Sequence, residues 1–131
     1  MLVEKRLAWI DYINEDAIKD AKFDINKSGK WMYFFDNRSF VEKICERAVK
    51  NRIVDVAKHS NSNDGVACFY LNYDDIVGHK KVISYFLENN LIQKTKTGRL
   101  YNISFKLDTQ TLAGEYGNDF RPQIKLSDFI D

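Results

Sequence analysis

The stretch SGKWMYFFDNRSFVEKI, residues 28–44, decides the fold because a strand pattern gives way to a helix pattern inside it. Trp31 to Phe35 are five large apolar residues in succession, four of them aromatic, which is typical of a β-strand. Ser39 then lies three residues before Glu42, the S-x-x-E capping box in which hydroxyl and carboxylate satisfy amides of the first helical turn. The stretch therefore predicts a strand followed at once by a helix.

Two amphipathic helices are predicted, and each has one apolar face that needs a layer to cover. In the first, apolar residues recur at helical spacing: Val41, Ile44, Cys45, Ala48 and Val49. The second begins at Asp74 and Asp75, where carboxylates favour the positive end of the helix dipole, and it ends at Asn89 and Asn90. Its inner stripe is Val82, Ile83, Phe86 and Leu87.

The remaining regular pattern predicts strands. Ile53 to His59 alternates apolar and polar residues, Ser60 to Gly65 has a turn composition, and Val66 to Tyr73 is nearly all apolar, as in a central strand. Leu100 to Leu107 is a third long strand, and Gln123 to Leu126 a short last one. The order β-α-β-β-α-β predicts an α+β fold, a two-layer sandwich in which a curved, mainly antiparallel sheet is backed by two helices.

Residues 1–27 are polar and weakly patterned, and we expect them to form an N-terminal arm that wraps the domain, with one helical turn from Ala17 to Phe23. The length of 131 residues predicts one domain spanning residues 1–131. A two-layer sandwich leaves one sheet face without helices. We expect that face to be covered by the arm, open to solvent, or used to bind a ligand.

Composition narrows the function classes. The formal net charge is +1, from 20 basic and 19 acidic residues, so we expect neither a nucleic-acid nor a membrane partner. Cys45 and Cys68 are isolated in apolar contexts, as buried reduced thiols are. The start MLVEKRLAWIDY is too charged for a signal peptide, and no apolar run approaches the roughly 18 residues of a membrane span. These features predict a cytoplasmic protein.

Ligand sets for a metal are not evident in the sequence. His59 and His79 are the two histidines, and neither C-x-x-C nor H-x-x-x-H spacing occurs. We therefore predict neither a metal site nor a cofactor.

The candidate site consists of basic and aromatic residues near strand ends. We predict that five of them contact a ligand: Lys30, Trp31, Lys58, Arg99 and Lys106. Trp31 would stack on a flat group, and the cations would meet phosphate. The structural alternatives stay open at this point: Trp31 as a core residue, Lys58 reaching to water, and Lys106 in a surface ion pair with Asp108.

Several short motifs, taken in order, resemble the basophilic leukaemia expressed protein family. The motifs are W-I, S-G-K-W-M, V-A-K and K-L-D-T-x-T-x-x-G-x-Y, spread over nearly the whole chain. They comprise Trp9 and Ile10; Ser28, Gly29, Lys30, Trp31 and Met32; Val56, Ala57 and Lys58; and Lys106, Leu107, Asp108, Thr109, Thr111, Gly114 and Tyr116.

That resemblance implies a fold similar to translation initiation factor 4E, with a curved antiparallel sheet backed by helices. It also implies a distant similarity to phosphothreonine lyases. Such a reaction needs a base for the alpha proton, an acid for the leaving oxygen and cations around phosphate. Lys58 would be the base and His59 the acid, with Arg99, Lys106 and Arg121 clamping phosphate. A regular strand would point Lys58 and His59 to opposite faces.

Three functions are therefore carried forward. The first is binding of a phosphorylated or nucleotide-like ligand on the open sheet face. The second is an enzyme that eliminates phosphate, with Lys58 and His59 as its catalytic pair. The third is an interaction module whose aromatic face docks a partner protein or a second copy of the chain.

Overall fold

The computed structural model describes residues 1–19, 26–115 and 120–130 and contains a curved, seven-stranded antiparallel sheet. The strands are β1 (Leu2–Lys5), β2 (Trp9–Ile13), β3 (Ser28–Phe35), β4 (Val56–Ser60), β5 (Gly65–Asn72), β6 (Ser104–Leu107) and β7 (Ile124–Lys125). The helices are α1 (Glu15–Lys19), α2 (Arg38–Lys50), α3 (Ile76–Glu88) and α4 (Asp108–Leu112), and Leu126–Asp128 forms a 3-10 turn. The strand order is β1-β2-β4-β5-β3-β6-β7. The α+β class and the antiparallel sheet are confirmed.

The strand-to-helix stretch forms β3 and α2, but the predicted helix cap is wrong. Asn37, not Ser39, is the N-cap, and its side-chain oxygen accepts a hydrogen bond of 3.1 Å from the Phe40 amide. Asn37 has an extended backbone (φ −129°, ψ 101°), which aims its side chain at the first turn, as N-cap residues require. The helix therefore begins one residue before Ser39.

The hairpin of β4 and β5 is confirmed, and β5 is central, paired with β4 on one side and β3 on the other. The first of these strands is shorter than predicted. Ile53 and Val54 donate backbone hydrogen bonds of 2.8 and 3.3 Å to the Ala48 carbonyl, so they close the end of α2. The residues left for the sheet begin at Val56.

The N-terminal residues do not wrap the domain as an arm. Residues 2–13 form β1 and β2, and β2 extends the sheet by pairing with β4. The alternation in WIDYI explains this, because Ile10 and Tyr12 point into the core while Asp11 points to the other face. The expected helical turn begins earlier, as α1, and residues 20–25 of that stretch lie outside the described residues.

The third predicted strand is also shorter than expected. Leu100 forms an isolated bridge with Lys94, and the regular strand β6 begins at Ser104. Directly after Leu107 the chain turns into α4, an element that the sequence analysis missed. As a result Asp108 belongs to a helix and not to a strand.

Helices α2 and α3 cover the sheet face that carries Trp31 and Phe69. Three residues of the predicted α3 stripe, Val82, Ile83 and Phe86, are buried. Leu87 is instead 40% exposed, and Tyr85 takes its place with a 2.7 Å hydrogen bond from its hydroxyl to the Ile44 carbonyl. This helix-covered side is called the back face below, and the opposite side the front face.

No helix among the residues in the described ranges is long and apolar enough to cross a bilayer.

Candidate functional site

Lysines of three strands, β3, β4 and β6, lie near one another on the front face. The strand register establishes this, because Lys30 on β3 pairs with Lys106 on β6 and with Tyr70 on β5. Lys58 on β4 pairs with Cys68, two residues from Tyr70 on the same face. We call Lys30, Lys58 and Lys106 the basic cluster. Sequence reasoning predicted all three, and the fold brings them to one face.

The basic cluster lines a concave region of about 410 Å³ on the front face. The aromatic residues of its lining are Trp9, Phe34, Tyr70 and Phe120. A second hollow of about 380 Å³ shares Lys58 and Tyr70 with the first and is lined by Arg6, Asp11 and Asp108. We call the first hollow the basic concavity and the second the acidic concavity.

Lys58 separates the two hollows and is held by aromatic rings. Its Nζ lies 3.9 Å from the centroid of the Trp9 ring and 5.7 Å from that of Tyr70, both within cation–π range. Among the residues that the structure describes, none forms a hydrogen bond or a salt bridge with this ammonium. Burial lowers the pKa of Lys58 and the positive charges of Arg6 and Lys30 act in the same direction, whereas Cys68 and the Asp11 carboxylate act against them.

Lys30 is occupied by residues of α4. It is 7% exposed, and its Nζ donates hydrogen bonds of 2.8 Å to Asp108 Oδ1 and 2.7 Å to Thr111 Oγ1. Ser28 Oγ donates a 2.6 Å hydrogen bond to the other oxygen of Asp108. The expected surface ion pair of Asp108 with Lys106 is therefore wrong. Because α4 begins at Asp108, its carboxylate reaches across to β3 instead.

Lys106 closes the other end of the basic concavity. It is 6% exposed, and its Nζ lies 5.4 Å from the centroid of the Phe120 ring. Burial lowers the pKa of Lys106, and the neighbouring Lys30 lowers it further. Lys58 and Lys106 both line the concavity, and burial lowers the pKa of each.

Asp11 is engaged at the rim of the acidic concavity. Arg6 Nε donates a 2.5 Å hydrogen bond to Asp11 Oδ2, and its terminal nitrogen donates one of 2.9 Å to Oδ1. This forked pair engages both oxygens of the carboxylate that faces Lys58 in the β2–β4 register. Asp11 consequently forms no salt bridge with Lys58, although its charge still favours the ammonium form.

Trp31 is a core residue, and its predicted role as a ligand contact is wrong. It is fully buried on the back face, where its Nε1 donates a 3.0 Å hydrogen bond to His79 Nδ1. Adjacent residues of a strand point to opposite faces, so Lys30 and Trp31 cannot line one pocket. The tryptophan beside the basic cluster is Trp9, which sequence reasoning missed. The alternation of WIDYI could have placed it there.

The predicted catalytic pair is not brought together either. His59 is fully buried on the back face, with its Nε2 3.1 Å from the Tyr12 hydroxyl and its Nδ1 2.9 Å from the Ser60 carbonyl. From Val56 to His59, successive residues of β4 pair with successive residues of β5, so no bulge turns Lys58 and His59 to one side. Base and acid on opposite faces cannot serve one substrate.

The predicted arginines lie outside the basic concavity. Arg99 is exposed in the turn before Leu100 and lines a separate hollow with Leu126 and Ile130. Arg121 is also exposed, and its carbonyl accepts a hydrogen bond from Gln110. The residues that complete the site come from unpredicted places, namely β2 and α4.

Metal binding has no support in the described part of the chain, where no group of three or more His, Cys, Asp and Glu side chains is placed to hold an ion. The two cysteines are free and buried, and burial raises the pKa of both thiols. Cys45 lies on the inner side of α2, and Cys68 lies on the floor of the basic concavity.

Neither a scan against models of protein families nor a search of curated proteins gives a match to this chain. The resemblance to the basophilic leukaemia expressed protein family therefore stays a prediction. Of its motif residues, Tyr116 lies outside the described residues.

Proposed function

We propose that the chain binds a small phosphorylated or nucleotide-like ligand in the basic concavity of the front face. The observation that carries this proposal is Lys58, a half-buried ammonium 3.9 Å from the centroid of the Trp9 ring, with which no carboxylate of the described residues forms a salt bridge. A cation that has lost part of its hydration without gaining a direct ion pair is costly to the fold. A bound anion would offset that cost.

The concavity combines two kinds of surface that such a ligand requires. Lys58 and Lys106 supply positive charge at its two ends, and Trp9, Tyr70 and Phe120 supply flat apolar walls. Phosphate oxygens accept hydrogen bonds from lysine ammonium groups, and planar rings pack on aromatic side chains. Small-molecule sites typically show this mixture of apolar lining with a few placed polar groups.

The proposal includes two further predictions, the similarity of the fold to translation initiation factor 4E and a cytoplasmic location. The curved antiparallel sheet with α2 and α3 on one face supports the likeness to translation initiation factor 4E, and the buried free thiols support a cytoplasmic location. Trp9 and Trp31 lie on opposite faces of the sheet, so they cannot contact one ligand. Elimination of phosphate by Lys58 and His59 as base and acid is excluded, because these two side chains also lie on opposite faces of the sheet.

The test is a titration of the whole chain with inorganic phosphate, inorganic pyrophosphate, adenosine and guanosine monophosphates, and a phosphothreonine peptide. Isothermal calorimetry and thermal unfolding report binding. Lys58→Met removes the charge and keeps an unbranched side chain against Trp9, so we expect affinity to fall about tenfold or more, the effect of one charged contact. The matched control is Lys80→Met on the exposed side of α3, which should bind as the wild type does.

Absence of any heat or any rise in Tm with the whole panel at millimolar concentrations would overturn the proposal. So would equal losses of affinity in Lys58→Met and Lys80→Met, because the effect would then come from net charge and not from the concavity.

A further inference from the structure

A carboxylate of the chain itself occupies one cation of the basic cluster. We infer that Asp108 competes with the ligand's phosphate for Lys30 and so lowers the affinity of the basic concavity for anions. This inference rests on the proposed function, and it adds an internal competitor to that site.

The geometry around Asp108 is that of a filled anion subsite. Its two carboxylate oxygens accept one hydrogen bond from Lys30 Nζ at 2.8 Å and one from Ser28 Oγ at 2.6 Å. Both donors belong to β3 and lie on the front face of the sheet. An ammonium and a hydroxyl that donate to one pair of carboxylate oxygens could equally donate to two oxygens of a phosphate, because phosphate offers the same acceptors with more negative charge.

The position of the pair lets a ligand reach it. Lys30 and Thr111 line the basic concavity, whereas Ser28 and Asp108 line the acidic concavity beside it. Lys30 Nζ therefore stands at the border, with Asp108 on one side and Thr111 on the other. An ammonium has three donors, and Asp108 and Thr111 account for two of them.

The helix that holds Asp108 is anchored by a different residue. Gln110 is buried, accepts a 3.1 Å hydrogen bond from the Leu107 amide and donates one of 3.0 Å to the Arg121 carbonyl. A five-residue helix is unstable alone, so these bonds fix α4 in place. Asp108 can consequently lose its bond to Lys30 without loss of the anchor, which is what a displaceable competitor requires.

The experiment compares Asp108→Asn with the wild type by calorimetric titration of inorganic pyrophosphate. Asparagine has the shape of aspartate but no charge, so we expect affinity to rise roughly five- to tenfold, as expected when one charged contact is released. The matched control is Asp36→Asn, an exposed carboxylate at the other end of β3, which should leave affinity unchanged.

A double-mutant cycle separates competition for Lys30 from a general change of electric field. The gain in Asp108→Asn must disappear when Lys30→Met is added, because the released ammonium is its source. A gain that survives in the double variant overturns the inference. So does unchanged or weaker binding in Asp108→Asn when the wild type binds, an outcome that leaves the proposed function intact. Lack of binding by the wild type and by Asp108→Asn alike overturns both.

Discussion

The two faces of the sheet differ in the partners of their buried polar side chains. On the back face, His59 and His79 are both fully buried, and each ring nitrogen of both has a hydrogen-bond partner. On the front face, Lys58 is held by aromatic rings alone among the described residues, and Lys30 is held by a carboxylate from the chain itself.

The difference separates a core from a site. A polar group that is buried and fully partnered contributes specificity to the fold and has no capacity left for a ligand. A polar group that is partly buried and incompletely partnered keeps that capacity, at a cost in stability. By this criterion the back face is the core, and the front face is the place where we propose that a ligand binds.

The largest effect is expected from the two tryptophans, one on each face. Trp31→Phe removes buried volume and leaves His79 Nδ1 without its donor, so the free energy of unfolding should fall by about 2–4 kcal/mol. Trp9→Phe at the partly exposed front position should cost less than about 1 kcal/mol. Urea denaturation of both variants measures this, and a larger loss in Trp9→Phe would reverse the assignment of the faces.

A somewhat smaller effect is expected from the two histidines when pH falls. The Trp31 indole only donates and the Tyr73 carbonyl only accepts, so neutral His79 carries its hydrogen on Nε2. By the same logic the Ser60 carbonyl fixes the hydrogen of His59 on Nδ1, and the Tyr12 hydroxyl donates to Nε2. Burial lowers the pKa of both imidazoles.

The sign of the pH dependence follows from that direction. Below about pH 6.5 the unfolded chain protonates both histidines while the folded chain does not, so the unfolded state binds more protons. Stability should therefore be complete above pH 6.5 and fall by up to about 1.4 kcal/mol per histidine for each pH unit below it, until the folded pKa values are reached. Urea denaturation between pH 7.5 and 5 measures the loss. Nitrogen NMR should find opposite tautomers for the two rings at pH 6, and two imidazoles that titrate near 6.5 in the folded protein would contradict the prediction.

Local pattern was enough for most of the fold. The five-residue aromatic run and the helical spacing of Val41, Ile44, Cys45, Ala48 and Val49 predicted β3 and α2, because both patterns depend on neighbours in sequence. The hairpin after α2 and the central position of β5 followed in the same way. The prediction failed where two similar local signals competed. Asn37 and Ser39 are both good N-cap residues, and the helix uses Asn37. The strand β2 was missed because the residues on either side of it are polar and weakly patterned.

The site was predictable only in part because it depends on pairings between distant residues. Alternation along β3 and β4 predicts which residues of its own strand share a face with Lys30 or with Lys58. It does not indicate that Trp9 reaches Lys58, since that contact needs the pairing of β2 with β4. Likewise the residues K-L-D-T do not predict that β6 ends at Leu107, or that Asp108 accepts a hydrogen bond from Lys30. The same alternation did show that Trp31 and Lys30 point apart, so the choice of tryptophan could have been corrected before the structure.

The smallest effect concerns stability and sharpens the contrast most directly. If Lys58 is kept for binding and not for folding, Lys58→Met should raise the free energy of unfolding by about 0.5 kcal/mol, because relief of a desolvated charge outweighs the lost cation–π contact and methionine still packs on Trp9. The exposed Lys80→Met should change it by less than that. Urea denaturation without any anionic ligand in the buffer gives the comparison, since phosphate would stabilise the wild type selectively. A clear loss of stability in Lys58→Met would mean that the ring contacts make Lys58 a structural residue, and the front face would then resemble the back.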